Sequence, residues 1–276
     1  MTQPIHWNAE ALWEAIAPQL PGFTVEVLPT IDSSNTELMR RARDGVTDPV
    51  LLIAEQQTNG RGRLGRNWVS GVGDSLMFSL GLPLAPKDWS GLSLAVGVSV
   101  AESLQPHLPA AGGAPKIGIK WPNDLWLEGD RKLAGILIET ASFVGTHQHD
   151  FSAPRYVVIG IGINVRPRPG DGMRTAPACL QELDAALDAP TALACILPNL
   201  VAEVQSFAKH GFEPLMARFA QRDLLAGREV NLSDGTSGMA QGVAADGGFL
   251  VRTATGVQAV TSSEISVRPA TSPLQN

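Results

Sequence analysis

Apolar and polar positions near the start of the chain alternate first with a period of two and then with a helical period. Residues 23–31 (FTVEVLPTI) carry apolar side chains at alternate positions, which predicts a β-strand. Residues 32–45 (DSSNTELMRRARDG) follow directly, with Ser34 and Glu37 at capping-box spacing and Gly45 suited to the stop. The pattern predicts a strand that leads at once into an amphipathic helix.

Later segments continue this alternation of strands and helices. Their apolar content predicts three buried strands, over residues 49–57, 74–84 and 155–165, and one buried helix, over residues 90–108. Residues 117–143 predict two strands that turn at Gly129-Asp130. From Thr175 to Asp223 the pattern is helical, and Pro198 is expected to interrupt or kink the first of two helices there.

The character of the chain changes after Gly227 to short β-like pieces separated by turn signals. Asp234-Gly235 and Asp246-Gly247 are typical of hairpin turns. A β unit of this size is marginally stable alone, so we expect it to dock on the main domain. We predict a mixed α/β main domain with one sheet over residues 1–225 and a small β domain over residues 226–276.

Composition excludes several classes of protein. The chain has 21 Lys+Arg against 27 Asp+Glu, a net charge of -6, with 44% hydrophobic residues. An acidic total weakens general affinity for nucleic-acid phosphates. No signal-peptide pattern opens the sequence, and its most apolar stretch, LSLAVGVSVA, is shorter than a membrane span. Together with only two cysteines, this predicts a cytoplasmic protein with no membrane association.

One loop departs from the acidic average. Residues 56–68 (QQTNGRGRLGRNW) combine Arg61, Arg63 and Arg66 with glycines. Guanidinium groups match phosphate and carboxylate oxygens, and the glycines are expected to leave the loop mobile until a ligand orders it. Taken alone, the loop is as typical of a solvated turn or an RNA-binding segment as it is of a loop that binds a small anion. Against RNA binding, only Trp68 offers a stacking aromatic.

Four further motifs carry polar residues at strand ends or adjoining turns. KWPNDLW contains Lys120 and Asp124, which either form a structural ion pair or serve phosphate and a divalent cation. Lys132 heads the apolar strand RKLAGILIET, and Asn164 ends GIGINV. A lysine at a strand end is more often a snorkelling side chain than a site, and DSSNTE is sufficiently explained as a helix N-cap. Strand ends and loops are nevertheless where sheet proteins place ligands.

In this order and spacing, the five motifs resemble biotin protein ligase, the enzyme that attaches biotin to carboxylase carrier domains. The resemblance extends from about Val27 through the C-terminal β segment. It implies an α+β fold, with a mixed β-sheet catalytic domain and packed helices like a class II aminoacyl-tRNA synthetase, followed by a small SH3-like β-barrel. It also implies ATP and biotin as substrates, a biotinyl-5'-adenylate intermediate and Mg²⁺ as cofactor.

The resemblance implies a role for individual residues. Those implied for biotin are Ser33, Ser34, Asn35, Gln57, Arg61, Gly62, Arg63 and Lys132. Those implied for ATP are Arg61, Arg66, Trp68, Asn123, Asp124 and Asn164. Lys132 and Arg63 are the implied catalytic residues, and Asp124 is the implied metal ligand. Ser34 stands where the family commonly has threonine, and Leu64 where it often has a further arginine.

The implied partner is the biotin carboxyl carrier protein of acetyl-CoA carboxylase, with the enzyme a monomer or a homodimer. About thirty residues precede the first motif and show no basic recognition helix, so no DNA binding is expected. A lipoate or octanoyl ligase is the alternative enzyme, but it would carry a different arginine and glycine signature with a nearby histidine. An RNA-binding module that uses the arginine loop is the alternative from another class.

Overall fold

The computed structural model describes residues 5–69, 71–110, 112–142, 154–170, 172–261 and 267–270. The α-helices in these residues are α1 (Ala9–Ile16), α2 (Ser34–Arg43), α3 (Leu92–Leu104), α4 (Ala189–His210) and α5 (Met216–Ala220). Single 3-10 turns occur at Arg63–Gly65, Leu180–Glu182 and Glu213–Leu215.

The strands fall into a large sheet, a small sheet and a two-stranded hairpin. Those of the large sheet are β1 (Thr24–Leu28), β2 (Val50–Ala54), β5 (Ser75–Leu84), β6 (Gly118–Lys120), β7 (Asp124–Leu127), β8 (Arg131–Ser142) and β9 (Arg155–Asn164). The hairpin is β3 (Gly60–Arg61) with β4 (Asn67–Trp68). The small sheet contains β10 (Glu229–Leu232), β11 (Ser237–Val243), β12 (Phe249–Thr253), β13 (Gly256–Val260) and β14 (Val267–Pro269).

The large sheet is mixed, with the order β1-β2-β5-β9-β8-β7-β6 in the described residues. β1 and β2 are parallel, and every other neighbouring pair is antiparallel. Helices pack on both faces, because successive side chains of a strand point to opposite sides. Leu51 and Ile53 of β2 join the main core with α1, α3 and α4, whereas Val50 and Leu52 join a smaller core under α2. The predicted mixed sheet with packed helices is confirmed.

The start of α2 differs from the prediction. Ser33, not Ser34, is the N-cap, and its hydroxyl accepts from the backbone N–H of Thr36. Glu37 pairs instead with Arg41, at 2.9 Å, and with Arg40. The capping box assigned to Ser34 and Glu37 is therefore wrong by one residue, and the Ser34 hydroxyl is left for tertiary contacts.

Residues 117–143 form three strands up to Ser142 where the sequence predicts two. The turn at Gly129-Asp130 is confirmed and joins β7 to β8, with positive φ at both residues. The second turn lies at Trp121–Asn123 and joins β6 to β7, so Lys120 and Asp124 become cross-strand neighbours. Apolar residues alternate in the same register before and after this turn, with only Asn123 as an exception, and this hides the turn from a periodic pattern.

The helix α4 runs through Pro198, so the predicted interruption does not occur, and the alternative of a kink stays a prediction. Its buried face includes Leu193, Leu197 and Leu200, which belong to the main core. Of the helices described, α4 is the one that is long and apolar enough to cross a membrane. A core helix satisfies the same two criteria, so this observation is weak evidence for a membrane span.

The five described strands of the small C-terminal sheet are antiparallel, in the order β13-β12-β11-β10-β14. The turns at Asp234-Gly235 and Asp246-Gly247 are confirmed between β10 and β11 and between β11 and β12, with positive φ at both glycines. The boundary between residues 225 and 226 stays a prediction.

Candidate active site

A pocket lies on the α2 face of the large sheet, between α2, the hairpin β3–β4 and the turn from β6 to β7. Every site residue predicted from the sequence lines it, except Asn164. These are Ser33, Ser34, Asn35, Gln57, Arg61, Gly62, Arg63, Arg66, Trp68, Asn123, Asp124 and Lys132. Segments up to about 100 residues apart in the chain thus meet in one cavity.

Glycines of β9 form part of the floor. A Cβ added to Gly160 would lie 1.9 Å from Asn35 Oδ1, and one added to Gly162 would lie 2.6 Å from the Trp68 ring. No other residue type permits these approaches without displacing the neighbour. The motif GIGINV therefore admits Asn35 and Trp68 against the backbone of β9.

The neutral end of the pocket is lined by Ser33, Ser34, Asn35 and Gln57, and the buried Ser79 lies behind this lining. Ser34, Asn35, Gln57 and Ser79 are joined by hydrogen bonds. Gln57 Oε1 accepts from the backbone N–H of Ser34 at 2.8 Å and from its hydroxyl at 3.2 Å. Ser79 Oγ lies 2.8 Å from Ser34 Oγ and 2.7 Å from Asn35 Oδ1. Ser79 is not among the residues predicted from the sequence, where it appears only as one of two hydroxyls, with Ser75, in a largely apolar strand.

Asn35 links this network to one arginine of the loop. Its amide donates to Leu137 O and to Glu139 Oε2, each at 3.1 Å. Glu139 Oε1 accepts from Arg61 Nη2 at 3.1 Å, and Arg61 Nη1 also donates to Thr36 Oγ1 at 3.2 Å. Arg61 is thereby held beside the neutral end. Glu139 is a second residue that the sequence analysis missed.

The arginine loop is a short hairpin, with Gly60 opposite Trp68 and Arg61 opposite Asn67. The mobility of this loop before a ligand binds stays a prediction. A Cβ on Gly60 would lie 2.4 Å from the Trp68 carbonyl oxygen, so glycine permits the pairing. Leu64 lies at the exposed tip with φ of 56°.

The charged end of the pocket is defined as Arg63, Arg66, Lys120, Asp124 and Lys132. It combines two arginines from the loop between β3 and β4 with side chains of β6, β7 and β8. Lys132 Nζ and Asp124 Oδ1 form an ion pair at 2.7 Å. Arg63 Nη1 donates to Asn123 Oδ1 at 3.3 Å, so the two loop arginines Arg61 and Arg63 diverge to opposite ends of the pocket. The sequence left a Lys120–Asp124 pair open, whereas the structure pairs Asp124 with Lys132.

Lys120 is a further cation at this end that was not among the predicted site residues. It is 7% exposed, and its Nζ lies 5.5 Å from the centroid of the Trp126 ring, within cation–π range. The pKa of Lys120 is lowered to about 8, chiefly by burial; the charge of Asp124 opposes this shift, and the charges of Lys132, Arg66 and Arg63 add to it. Burial likewise lowers the pKa of Arg63. An anion bound here would relieve this concentration of positive charge.

Trp68 lies between two cations at the border of the charged end. Lys132 Nζ is 5.8 Å and Arg168 Cζ is 5.7 Å from the centroid of its ring. Arg168 also donates to the carbonyl oxygen of Val69, at 2.5 Å, which ties the segment after β9 to the hairpin. The side chain that closes this part of the pocket is therefore held from both sides.

Asn164 is placed differently from the prediction. It is 1% exposed and lies outside the pocket lining, where its amide donates to Lys132 O at 3.1 Å and to Ala178 O at 2.9 Å. These contacts hold the backbone of Lys132 rather than a ligand. Its role in ATP binding remains a prediction.

The pocket offers one carboxylate to a metal ion, because Asp124 is the single acidic residue in its lining. The described residues contain no group of three or more His, Cys, Asp or Glu suited to a metal. Mg²⁺ typically binds one or two carboxylates together with substrate phosphates and water. Asp124 and the amide of Asn123 therefore fit an ion that arrives with a nucleotide, and do not form a cage of protein ligands.

The fold and the pocket agree with the comparisons with known families. Residues 27–164 match the biotin/lipoate A/B protein ligase family, and residues 226–268 match the biotin protein ligase C-terminal domain. The chain belongs to the biotin/lipoate A/B protein ligase family, and it groups there with the biotin protein ligases. This confirms the resemblance carried by the five motifs.

Individual relatives cover most of the chain. The bifunctional ligase/repressor BirA of Escherichia coli is 36% identical over 262 residues, which are 92% of this chain and 77% of BirA. The biotin--[acetyl-CoA-carboxylase] ligase of Mycobacterium tuberculosis is 33% identical over 75% of this chain and 74% of its own. Biotin protein ligase from Aquifex aeolicus, solved with biotin and ATP, aligns with a TM-score of 0.71 and 28% identity over 89% of this chain and 99% of that one. The class II aminoacyl-tRNA synthetase-like fold is confirmed.

Proposed function

We propose that the protein is an ATP-dependent ligase that converts biotin to biotinyl-5'-adenylate and transfers the biotinyl group to a lysine of a carboxyl carrier domain. The observation that carries this proposal is one pocket with a neutral hydrogen-bonding end and a cationic end. Biotin combines a neutral bicyclic urea with a carboxylate, and ATP brings more negative charge to that carboxylate. The two ends match these two chemistries.

At the neutral end, Ser34, Asn35 and Gln57 would bind the urea group of biotin. Amide and hydroxyl groups both donate and accept hydrogen bonds, as a urea requires. A lipoyl dithiolane has no such groups, so it would cover this network and gain no hydrogen bond from it, which costs affinity relative to biotin. The network therefore supports biotin over lipoate, as do the names of the relatives.

At the charged end, a biotin carboxylate oxygen would attack the α-phosphorus of ATP. The new bond forms as the bond to the pyrophosphate oxygen breaks, and pyrophosphate leaves with the bonding electrons. Two anions approach each other in this step, so fixed cations lower the barrier. Lys132 and Arg63 would supply positive charge at the reacting oxygens, and Arg66 and Trp68 would border the nucleotide. When bound, Mg²⁺ would offset phosphate charge beside Asp124 and Asn123.

In the second step, the neutral amine of the carrier lysine would attack the acyl carbon of the adenylate. The amide bond forms, the amine loses a proton and AMP leaves. The adenylate is a mixed anhydride that water hydrolyses, so the hairpin with Arg61, Gly62 and Arg63 would cover it until the carrier arrives. The proposed reaction therefore requires a pocket that excludes water from the adenylate as well as one that supplies positive charge.

The relative from Mycobacterium tuberculosis is named for acetyl-CoA carboxylase, and this supports the biotin carboxyl carrier protein of that enzyme as the partner. The cytoplasmic location and the oligomeric state, monomer or homodimer, stay predictions.

The test is incubation of the protein with labelled biotin and a purified carrier domain, with and without ATP. We expect ATP-dependent label on the carrier, and loss of the label when the carrier lysine is replaced by arginine. In parallel, labelled pyrophosphate should exchange into ATP in the presence of biotin. Exchange with lipoate but not with biotin would refute the proposal.

A further inference from the structure

The turn between β6 and β7 faces the pocket on one side and the C-terminal sheet on the other. Lys120, Pro122, Asn123 and Asp124 line the pocket, but Trp121 between them does not. Trp121 is 1% exposed, and its side chain points to the opposite side of the turn. The residue that is best buried in this turn is therefore anchored outside the pocket.

The anchor of Trp121 belongs to the C-terminal sheet. Its indole N–H donates to the carbonyl oxygen of Gly247 at 3.1 Å, and its ring stacks on Phe249 at 5.1 Å between centroids. Gly247 lies in the turn between β11 and β12, and Phe249 begins β12. A hydrogen bond and a stacked aromatic pair together fix both the direction and the depth of the indole.

The Gly247 turn packs closely against the segment before α3. A Cβ added to Gly247 would lie 2.6 Å from the Cα of Gly91, directly before α3. A Cβ added to Gly91 would in turn lie 2.6 Å from the side chain of Phe212. Backbone packs on backbone here, so the position of the Gly247 carbonyl is set by the catalytic domain itself.

The strand before the turn is attached to the same part of the chain. Ile119 N donates to Arg222 O at 2.7 Å, and Leu224 N donates to Ile119 O at 3.1 Å. Residues 222–224 lead directly into the C-terminal sheet. Both Ile119 and Trp121, on either side of Lys120, are thus held from outside the pocket.

We propose that Trp121 is a positioning residue through which the C-terminal sheet holds the Lys120–Asp124 turn in the geometry for adenylation. This inference rests on the proposed function. Reacting groups misplaced by about 1 Å cost roughly a hundredfold in rate, so an anchored turn has a catalytic consequence. The C-terminal sheet thereby serves adenylation even before any carrier is bound.

The test compares Trp121→Phe and Gly247→Ala with the parent protein. The first keeps an aromatic ring but removes the indole N–H, and the second displaces the Gly247 turn. Trp13→Phe is the control, because Trp13 Nε1 also donates to a backbone carbonyl, that of Phe23 at 2.9 Å, away from the pocket. The measurements are biotin-dependent ATP–pyrophosphate exchange, biotin binding by calorimetry and thermal unfolding.

We expect kcat of exchange to fall roughly tenfold in Trp121→Phe and in Gly247→Ala. A shift of the reacting groups by less than about 1 Å costs less than the roughly hundredfold loss given above. Biotin affinity should stay within about twofold of the parent, because the neutral end is built from α2, Gln57 and β5. Trp13→Phe should keep the parent kcat. Trp121→Phe removes the donor of the hydrogen bond to Gly247, and Gly247→Ala displaces its acceptor. If one variant does not fold, the other alone tests the inference.

The possible outcomes separate the inference from the proposed function. A parent protein without biotin-dependent exchange would refute the function itself. An active parent with unchanged kcat in the folded Trp121→Phe variant would overturn the inference. A loss of biotin affinity in parallel with kcat would also overturn it, because it would show a general structural defect.

Discussion

The neutral and charged ends of the pocket satisfy their polar groups in different ways. At the neutral end, Ser34, Asn35, Gln57 and Ser79 bind one another through short hydrogen bonds within one network. At the charged end, the cations Arg63, Arg66, Lys120 and Lys132 share the single carboxylate of Asp124. One end is complete without a ligand, whereas the other has an excess of positive charge.

This difference separates the tasks of the two ends. A pre-organised network binds with little loss of conformational freedom, so it suits recognition of an uncharged group. Neighbouring cations repel one another until an anion arrives, most of all the buried Lys120, so they suit stabilisation of charge that develops in a reaction. Substitutions at the neutral end should therefore change biotin affinity, and those at the charged end should change the rate of adenylation.

The largest effect is expected for Lys132→Ala. Lys132 is the cation that the resemblance places at both the biotin carboxylate and the α-phosphate. Its removal should lower kcat of biotin-dependent ATP–pyrophosphate exchange by at least about a hundredfold, the usual cost of one charge-stabilising group. Lys87→Ala is the control, since Lys87 is exposed and lies outside the pocket. Normal exchange in folded Lys132→Ala would remove this residue from the mechanism.

Lys120→Met should produce opposite changes in stability and activity. At pH 7 the parent must bury a charged lysine whose pKa is lowered to about 8, so an apolar replacement should raise the free energy of unfolding by about 3 kcal/mol. Adenylation should slow by at least about tenfold, because a contact to a charged group is lost. Denaturant unfolding and exchange kinetics measure the two effects.

The gain in stability from Lys120→Met should depend on pH. Since folding lowers the pKa of Lys120, the unfolded chain retains the proton between about pH 8 and pH 10.5, and the stability of the parent rises with pH across that window. The advantage of the variant should be full at pH 7 and smaller at pH 9.5. An advantage that is equal at both pH values would show that the charge of Lys120 is not its cause. Asp124, Lys132, Arg63 and Arg66 face this lysine and are unchanged in the variant.

The two loop arginines allow the ends to be compared within one hairpin. Arg63→Gly should still form adenylate but release about tenfold more of it into solution, because Arg63 donates to Asn123 across the pocket. Arg61→Gly should mainly raise KM for biotin, because Arg61 pairs with Glu139 beside Asn35. Free biotinyl-adenylate is measured by chromatography during turnover. Equal release by both variants would mean that the hairpin acts as one unit.

The sequence predicts which segments meet in the pocket better than it predicts how their side chains pair. Motifs at strand ends identify Lys132, Asp124 and the arginine loop, because a resemblance preserves order and spacing along the chain. The pairing of Lys132 with Asp124 depends on a turn between β6 and β7 that apolar alternation conceals. The contact of Ser79 with Ser34 depends on α2 packing against β5, which no local pattern encodes.

The smallest effect is expected for Ser79→Ala, at the neutral end. The Ser34 hydroxyl donates to Gln57, so the Ser79 hydroxyl is the donor to the amide oxygen of Asn35, at 2.7 Å, or to Ser34 Oγ, at 2.8 Å. Its loss should cost about 1 kcal/mol, so KM for biotin should rise roughly fivefold with kcat little changed. Ser75→Ala in the same strand is the matched control, because Ser75 is equally buried and its hydroxyl has no hydrogen-bond partner among the residues described. A fall in kcat with unchanged KM would contradict the division of tasks between the two ends, since an uncharged hydroxyl would then be acting on the reaction rather than on recognition.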